Sequence, residues 1–236
     1  MGKGYFGESA SKYDKRRFET EHGKLFHFLE MEQLEKGISG LKKDALICEV
    51  GCGTARFSRY LAEKGFNVVA TDISFDMLKI AKEKCSGIKN IKFYISEGSS
   101  LNFNDEKFDF VFAIRVLNQT ESEDYALNTL REMIRITKFG GIILVEFVNK
   151  LRLFNNLRSR AGVQLSFDKI CEIAEKNNCK IIKKSGILIF SEAVLNSIPK
   201  LILPIYKFIE CFFAKLLRKY TTRGYVLLEK TKNISK

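Results

Sequence analysis

The sequence predicts an α/β fold, a doubly wound and mostly parallel sheet with helices on both faces, and three observations predict it. Ala45-Leu46-Ile47-Cys48 with Val50 is a short continuous apolar run, as in a strand buried on both faces. Gly51 and Gly53 follow at once, and from Ala55 the spacing turns helical, with Phe57, Leu61 and Phe66 among Arg56, Arg59, Glu63 and Lys64. A second apolar strand, Asn67-Val68-Val69-Ala70-Thr71, then ends at Asp72.

The glycine turn lets the backbone lie against a ligand, and the helix after it offers free N–H groups at its start. Asp72, about 20 residues after the glycines, sits where a carboxylate accepts hydrogen bonds from a ribose diol. A dinucleotide turn has a third glycine, and that position here is Arg56. Glu49, just before the first glycine, repels phosphate but can face a cation. S-adenosylmethionine carries a sulfonium and an ammonium and no phosphate. Glu49-Val50-Gly51-Cys52-Gly53-Thr54, with Thr71-Asp72-Ile73-Ser74 and Met77-Leu78, resembles the class I S-adenosylmethionine-dependent methyltransferases.

That resemblance implies a Rossmann-like sheet of seven strands whose last strand is antiparallel. It implies S-adenosylmethionine as cofactor and S-adenosylhomocysteine as product, with no metal. Glu49, Gly51 and Gly53 then hold the methionine portion, Asp72 the ribose, and Ile73 and Ser99 the adenine, with Cys52, Met77 and Arg115 in the same cofactor-binding set. Family members often carry an acidic residue where Ser99 stands; a serine oxygen can still accept from the adenine amino group.

The length fits one domain over 1–236, with an N-terminal helical cover (1–40), a cofactor-binding core (41–190), a helical insertion (191–222) and a last strand with tail (223–236). Forty basic against 28 acidic residues give a formal charge of +12, which suits an anionic partner or simply a lysine-rich solvated surface. Six cysteines without a C-x-x-C pair read as reduced core residues of a cytoplasmic protein rather than a disulfide frame or metal site. The N-terminus lacks a secretory pattern, and no stretch offers the ~20 uncharged apolar residues of a membrane span.

In chain order, Ser9 to about Lys36 reads as helical, and Ala10-Ser11-Lys12-Tyr13-Asp14 resembles the opening of the family's N-terminal cover. Tyr13 is therefore a candidate contact at the methionine end, or an aromatic that pins the helix to the core. Ser74 caps a helix over Phe75 to about Cys85, and Ile91–Ile95 forms a third strand. A fourth strand, Phe108–Ile114, ends at Arg115-Val116-Leu117-Asn118-Gln119, where Asn118 and Gln119 can orient a substrate or cap the next helix. This loop lacks the N-P-P-Y pattern of amino-directed nucleic-acid methyltransferases. A helix from near Ser122 is expected to stop at Lys138-Phe139-Gly140-Gly141, with the fifth strand over Gly141–Val148. Residues 149–162, opening at Asn149, a candidate substrate residue, form a basic and partly apolar loop. A helix opening at Ser166, a strand around 180–182 and 186–190, and a last strand over Gly224–Lys230 follow.

In the insertion, Ile205, Phe208, Ile209, Phe212, Phe213, Leu216 and Leu217 share one helical face, with Lys207, Glu210, Lys215 and Arg218 on the other. A core or dimer helix explains that pattern, and so does peripheral contact of the 205–218 helix with the inner face of a membrane. The leading functional expectation is methyl transfer to a small-molecule or amphiphilic acceptor. The alternatives are a tRNA or rRNA acceptor, suggested by the charge, and a catalytically silent cofactor-binding or membrane-associated protein. No side chain has a motif marking it as the catalytic base; Glu146, His22 and His27 are the candidates.

Overall fold

Burial of both sheet faces explains why the central runs are almost continuously apolar, with Glu49, Asp109 and Glu146 as the exceptions. Our structure, a computed structural model described for residues 7–153, 162–190 and 197–232, contains β1 (Leu46–Val50), β2 (Asn67–Asp72), β3 (Ile91–Ile95), β4 (Phe108–Ala113), β5 (Thr137–Val148), β6 (Cys179–Ile187) and β7 (Arg223–Lys230). In β1 and β4 the odd and even positions enter different apolar layers. Ile47, Phe110 and Phe112 pack with Phe57, Leu61 and Leu34, while Cys48, Val111 and Ala113 pack with Leu130, Met133 and Ile170. Both faces are covered, so both must be apolar. Each such large side chain fully buried contributes about 1.5–3 kcal/mol.

The strands form one sheet in the order β3-β2-β1-β4-β5-β7-β6, with β7 antiparallel to both neighbours and β1 parallel to β2 and β4. The chain reverses its winding between β1 and β4, which makes their carboxyl ends the crevice of the fold.

The helices are α1 (Glu8–Ser11), α2 (Tyr13–Arg17), α3 (Glu21–Ile38), α4 (Arg56–Glu63), α5 (Phe75–Lys84), α6 (Glu123–Ile136), α7 (Phe167–Lys176) and α8 (Leu203–Leu216). Serine oxygens start three of them: Ser74 accepts from Met77 N at 3.2 Å, Ser122 from Tyr125 N at 3.1 Å and Ser166 from Lys169 N at 3.1 Å.

The N-terminal segment is not one helix over 9–36 but three. Thr20 starts α3 afresh by accepting from Gly23 N at 3.0 Å. The two glycines do not end α6, which stops at Ile136; β5 begins at Thr137, not Gly141. Thr137 is extended and its hydroxyl donates to Met133 O at 2.7 Å, closing the helix before Gly140 and Gly141 are reached. The strand expected around 180–182 and 186–190 is β6, which has a register shift between Ile181 and Lys183 and ends earlier, at Ile187.

The insertion helix α8 has the expected apolar face, but Glu210 is not on the solvent side with the lysines. It is 1% exposed, beside Leu203, Tyr206 and Ala214. Its two carboxylate oxygens accept from Ile189 N at 3.2 and 3.1 Å, and Oε2 also accepts from the Tyr206 hydroxyl at 2.9 Å. No described helix is long and apolar enough to cross a membrane. Cys48, Cys52, Cys85, Cys171 and Cys179 are buried and form no disulfide. Much of the basic loop (154–161) and the start of the insertion (191–196) lie outside the described residues.

Candidate active site

The carboxyl ends of β1, β2 and β4 surround a cleft of about 880 Å³, counted out to its open mouth. The turn after β1 bends through two left-handed glycines, Gly51 at φ 71° and Gly53 at φ 54°. A Cβ on Gly51 would lie 2.5 Å from Val116 Cγ2, so the β4 loop closes over the turn only because the side chain is absent.

Glu49 is buried at the cleft wall, where Oε2 accepts from Ser58 N at 2.9 Å and from the Ser58 hydroxyl. Burial pushes its carboxyl up to about 8, against the lowering effect of the Ser58 bonds and the Arg56 charge. Asp72 lies across the turn: Oδ2 accepts from Gly53 N at 2.8 Å and Oδ1 from Ser74 N at 2.9 Å. Burial raises its carboxyl too, while those backbone bonds hold it down.

Of the twelve residues expected in the site, Tyr13, Glu49, Gly51, Cys52, Gly53, Asp72, Ile73, Met77 and Arg115 line this one cleft. Ser99, Asn118 and Asn149 do not. Ser96, Gly98 and Gln119 from the same loops do so instead, as does Tyr125, whose hydroxyl donates to Glu97 Oε1 at 3.1 Å. Ser99 is a hydrogen-bond partner of that Tyr125 hydroxyl. Asn149 is fully buried, and its amide donates to Lys219 O at 2.8 Å and Thr221 O at 2.9 Å while its oxygen accepts from Leu151 N at 3.0 Å. Those bonds pin the end of β5 to the chain before β7.

The N-terminal cover is tied down by polar contacts invisible in the sequence. Thr54 of the turn donates to Asp14 Oδ1 at 2.8 Å, Lys84 pairs with the other Asp14 oxygen, and Gly7 N donates to Asp76 Oδ2 at 2.7 Å. These bonds bring Tyr13 and Phe18 to the cleft.

Arg56 is the main participant that the sequence signalled only as a missing glycine. Its guanidinium lies 4.0 Å from the ring centroids of both Phe18 and Phe57, donates to Glu30 Oε2 at 2.6 Å and meets His27 Nδ1. Burial and then the Arg56 charge push the His27 imidazole down to about 4. Glu30 also approaches Arg115 Nη1 at 3.4 Å, while Arg115, left-handed at φ 67°, donates its backbone N–H to Glu146 Oε2 at 2.6 Å. Arg223 Nη1 occupies the other Glu146 oxygen at 2.8 Å. Glu146, His22 and His27, the three candidate bases, do not line the cleft, and His22 Nε2 meets Ile198 O at 2.9 Å. Among the described residues no three His, Cys, Asp or Glu side chains cluster as a metal ion would need.

A family model described as a methyltransferase domain matches residues 48–145, the stretch from β1 through most of β5. An uncharacterized protein of Methanocaldococcus jannaschii is 34% identical over 183 residues, covering 77% of this chain and 80% of its own. The ubiquinone/menaquinone biosynthesis C-methyltransferase UbiE of Citrobacter koseri is 34% identical over 150 residues, covering 59% of this chain. A demethylmenaquinone methyltransferase of Staphylococcus epidermidis is 31% identical over a match of the same length. The chain spans 56% of the length of each of these two quinone methyltransferases. Among solved structures, the N-methyltransferase NodS of Bradyrhizobium japonicum, in complex with S-adenosylhomocysteine, superposes with a TM-score of 0.65 at 11% identity, covering 94% of this chain and 99% of NodS. The [4+2]-cyclase SpnF also gives 0.65, at 18% identity over 86% of this chain and 80% of its own. At such identities the superpositions show a shared fold and leave the chemistry to the site.

Proposed function

The chain belongs to the class I S-adenosylmethionine-dependent methyltransferases, and on that premise we propose that it transfers a methyl group to a small, amphiphilic acceptor. The observation that carries this reading is the buried Glu49 carboxyl beside a two-glycine turn, with the Asp72 carboxyl across it. Two acidic side chains beside the glycine turn suit a cationic, phosphate-free nucleoside, since the two arginines of the cleft, Arg56 and Arg115, are paired with Glu30. The quinone methyltransferases among the relatives suggest an acceptor of their kind.

S-adenosylmethionine, when bound, supplies a methyl group on a sulfonium sulfur. Glu49 would hold its ammonium, and Asp72, anchored to Gly53 and Ser74, would accept from its ribose hydroxyls. Ile73 and Met77 give the adenine an apolar wall. Tyr13, Phe18 and Gln119 then remain at the cleft for the acceptor. The chain's contribution to rate is positioning, because holding two reactants in line supplies roughly 7–11 kcal/mol of a bimolecular barrier. In this reading residues 1–236 act as one domain, cytoplasmic and peripheral to the inner membrane face, with 1–40 covering the cleft.

The +12 charge favours RNA as the second acceptor class. Incubation with methyl-labelled S-adenosylmethionine and separated lipid and RNA extracts tests both. We expect label in the organic-soluble fraction; label in RNA alone replaces the acceptor class, and tight cofactor binding with no transfer to any fraction removes the enzyme reading.

A further inference from the structure

We infer that α8 docks the protein on an anionic lipid surface, lying in the interface plane with its outward face among the acyl chains. The roll of the helix is fixed by Glu210, whose bonds to Ile189 N and the Tyr206 hydroxyl turn Leu203, Tyr206 and Ala214 inward. The opposite side is left in water: Phe208 is 77% exposed, Leu216 71%, and Ile205 and Phe212 60% each, and Leu201 in the turn just before the helix is 91% exposed. A half-exposed Phe28 on α3 extends the patch, with Lys207 Nζ 3.3 Å from its ring centroid. Contiguous apolar patches of this kind mark interaction sites in water-soluble chains.

Charge selects the occupant. Between residues 197 and 220 the sequence carries Lys200, Lys207, Lys215, Arg218 and Lys219, and its one acidic residue, Glu210, is turned inside. A second copy seated face to face would bring like charges together across the patch, with no carboxylate from either helix to offset them. An anionic headgroup layer matches the cations while the acyl region takes the phenyl and isobutyl groups, as interfacial basic helices do. Arg218 is already aligned with the sheet edge, donating to Lys184 O at 3.1 Å. This inference does not depend on methyl transfer, and its test needs no cofactor.

The full chain is floated with vesicles of phosphatidylcholine alone and of phosphatidylcholine with phosphatidylglycerol, beside the variants Phe208→Ser/Phe212→Ser and Lys215→Glu/Lys219→Glu. We expect at least tenfold stronger binding to the anionic vesicles, weakened by raised salt, and at least a tenfold loss in each variant. Both variants alter exposed side chains, and unchanged melting and S-adenosylmethionine titration check that they fold. Absence of binding to anionic vesicles overturns the inference, and so does equal binding by both folded variants. Concentration-dependent dimerisation without lipid, dispersed by Phe208→Ser/Phe212→Ser, assigns the face to a second copy and overturns it as well.

Discussion

Asp72 Oδ2 accepts the backbone N–H of Gly53 at 2.8 Å, so the carboxylate at the end of β2 also holds the glycine turn at the end of β1. The two strands are paired in parallel with Val50 opposite Thr71, and the hydrogen bond extends that pairing into the loops. Asp72→Ala should therefore do two things. It should cost about 1–3 kcal/mol of stability through the orphaned amides, and it should lower S-adenosylmethionine affinity tenfold or more. Denaturant unfolding and calorimetric titration read the two separately. Unchanged affinity would remove Asp72 from the ribose site.

Glu49 makes cofactor binding depend on pH. Its carboxyl in the free protein is pushed up to about 8 by burial, so below that pH it is mostly protonated, and holding an ammonium requires the proton to leave. Affinity should rise with pH up to about 8, by as much as tenfold per unit, and then level off. Titrations in two buffers of different ionisation enthalpy should reveal about one proton released at pH 7. Glu49→Gln should flatten the profile. The sign for stability is opposite: a raised carboxyl is penalised only when ionised, so the cost is absent below its ordinary value and grows as pH rises toward 8. The same variant should therefore melt higher than the parent at pH 8 and about equally at pH 4.5.

The two glycines of the turn should respond differently to alanine. Both have positive φ, which costs an L-residue about 1–2 kcal/mol. Gly53 has nothing within 4 Å of a new Cβ, so that is the whole expected loss, whereas at Gly51 the Cβ meets Val116 Cγ2 at 2.5 Å. Gly51→Ala should be the more destabilising by about 1–3 kcal/mol. Adding Val116→Ala should recover the difference but not the shared part. Equal losses in the two single variants would show that the β4 loop moves aside freely.

The sheet and the glycine turn were legible because they depend on local patterns: continuous apolar runs for strands covered on both faces, glycines at left-handed positions, serines before helices. The end of α6 was not, because Thr137 closes it through a hydroxyl bond and strand pairing with Phe108, and two nearby glycines looked like the stronger signal. Glu210 was misread for a related reason. Its partners, the backbone of Ile189 and the hydroxyl of Tyr206, come from another segment and from its own helix, and periodicity treats any carboxylate as outward. In the cleft, residues adjoining the turn were found. Of those brought by the cover, Tyr13 was named through the family resemblance, while Phe18 and the Asp14 contact to Thr54 depend on long-range pairing that spacing does not encode.

Arg56 is where that missing information matters most. It stands at the position a dinucleotide turn gives to glycine, and its guanidinium fills the space between Phe18 and Phe57 while neutralising Glu30, which is fully buried. Arg56→Ala leaves Glu30 only the longer contact to Arg115 at 3.4 Å, so a loss approaching, but below, the roughly 3–5 kcal/mol of a wholly unpaired buried charge is expected. Much of that is the stranded carboxylate rather than the pair's net worth, and Glu30→Gln in the same chain should restore a large part of it. His27 reports the same change independently. It is held down to about 4 by burial first and by the Arg56 charge second, so its NMR titration in Arg56→Ala should move up while staying below the ordinary imidazole value. A His27 titration that does not move would show that the guanidinium charge is not felt at the imidazole, and a double variant no more stable than Arg56→Ala would show that Arg56 holds the cover through its stacking on Phe18.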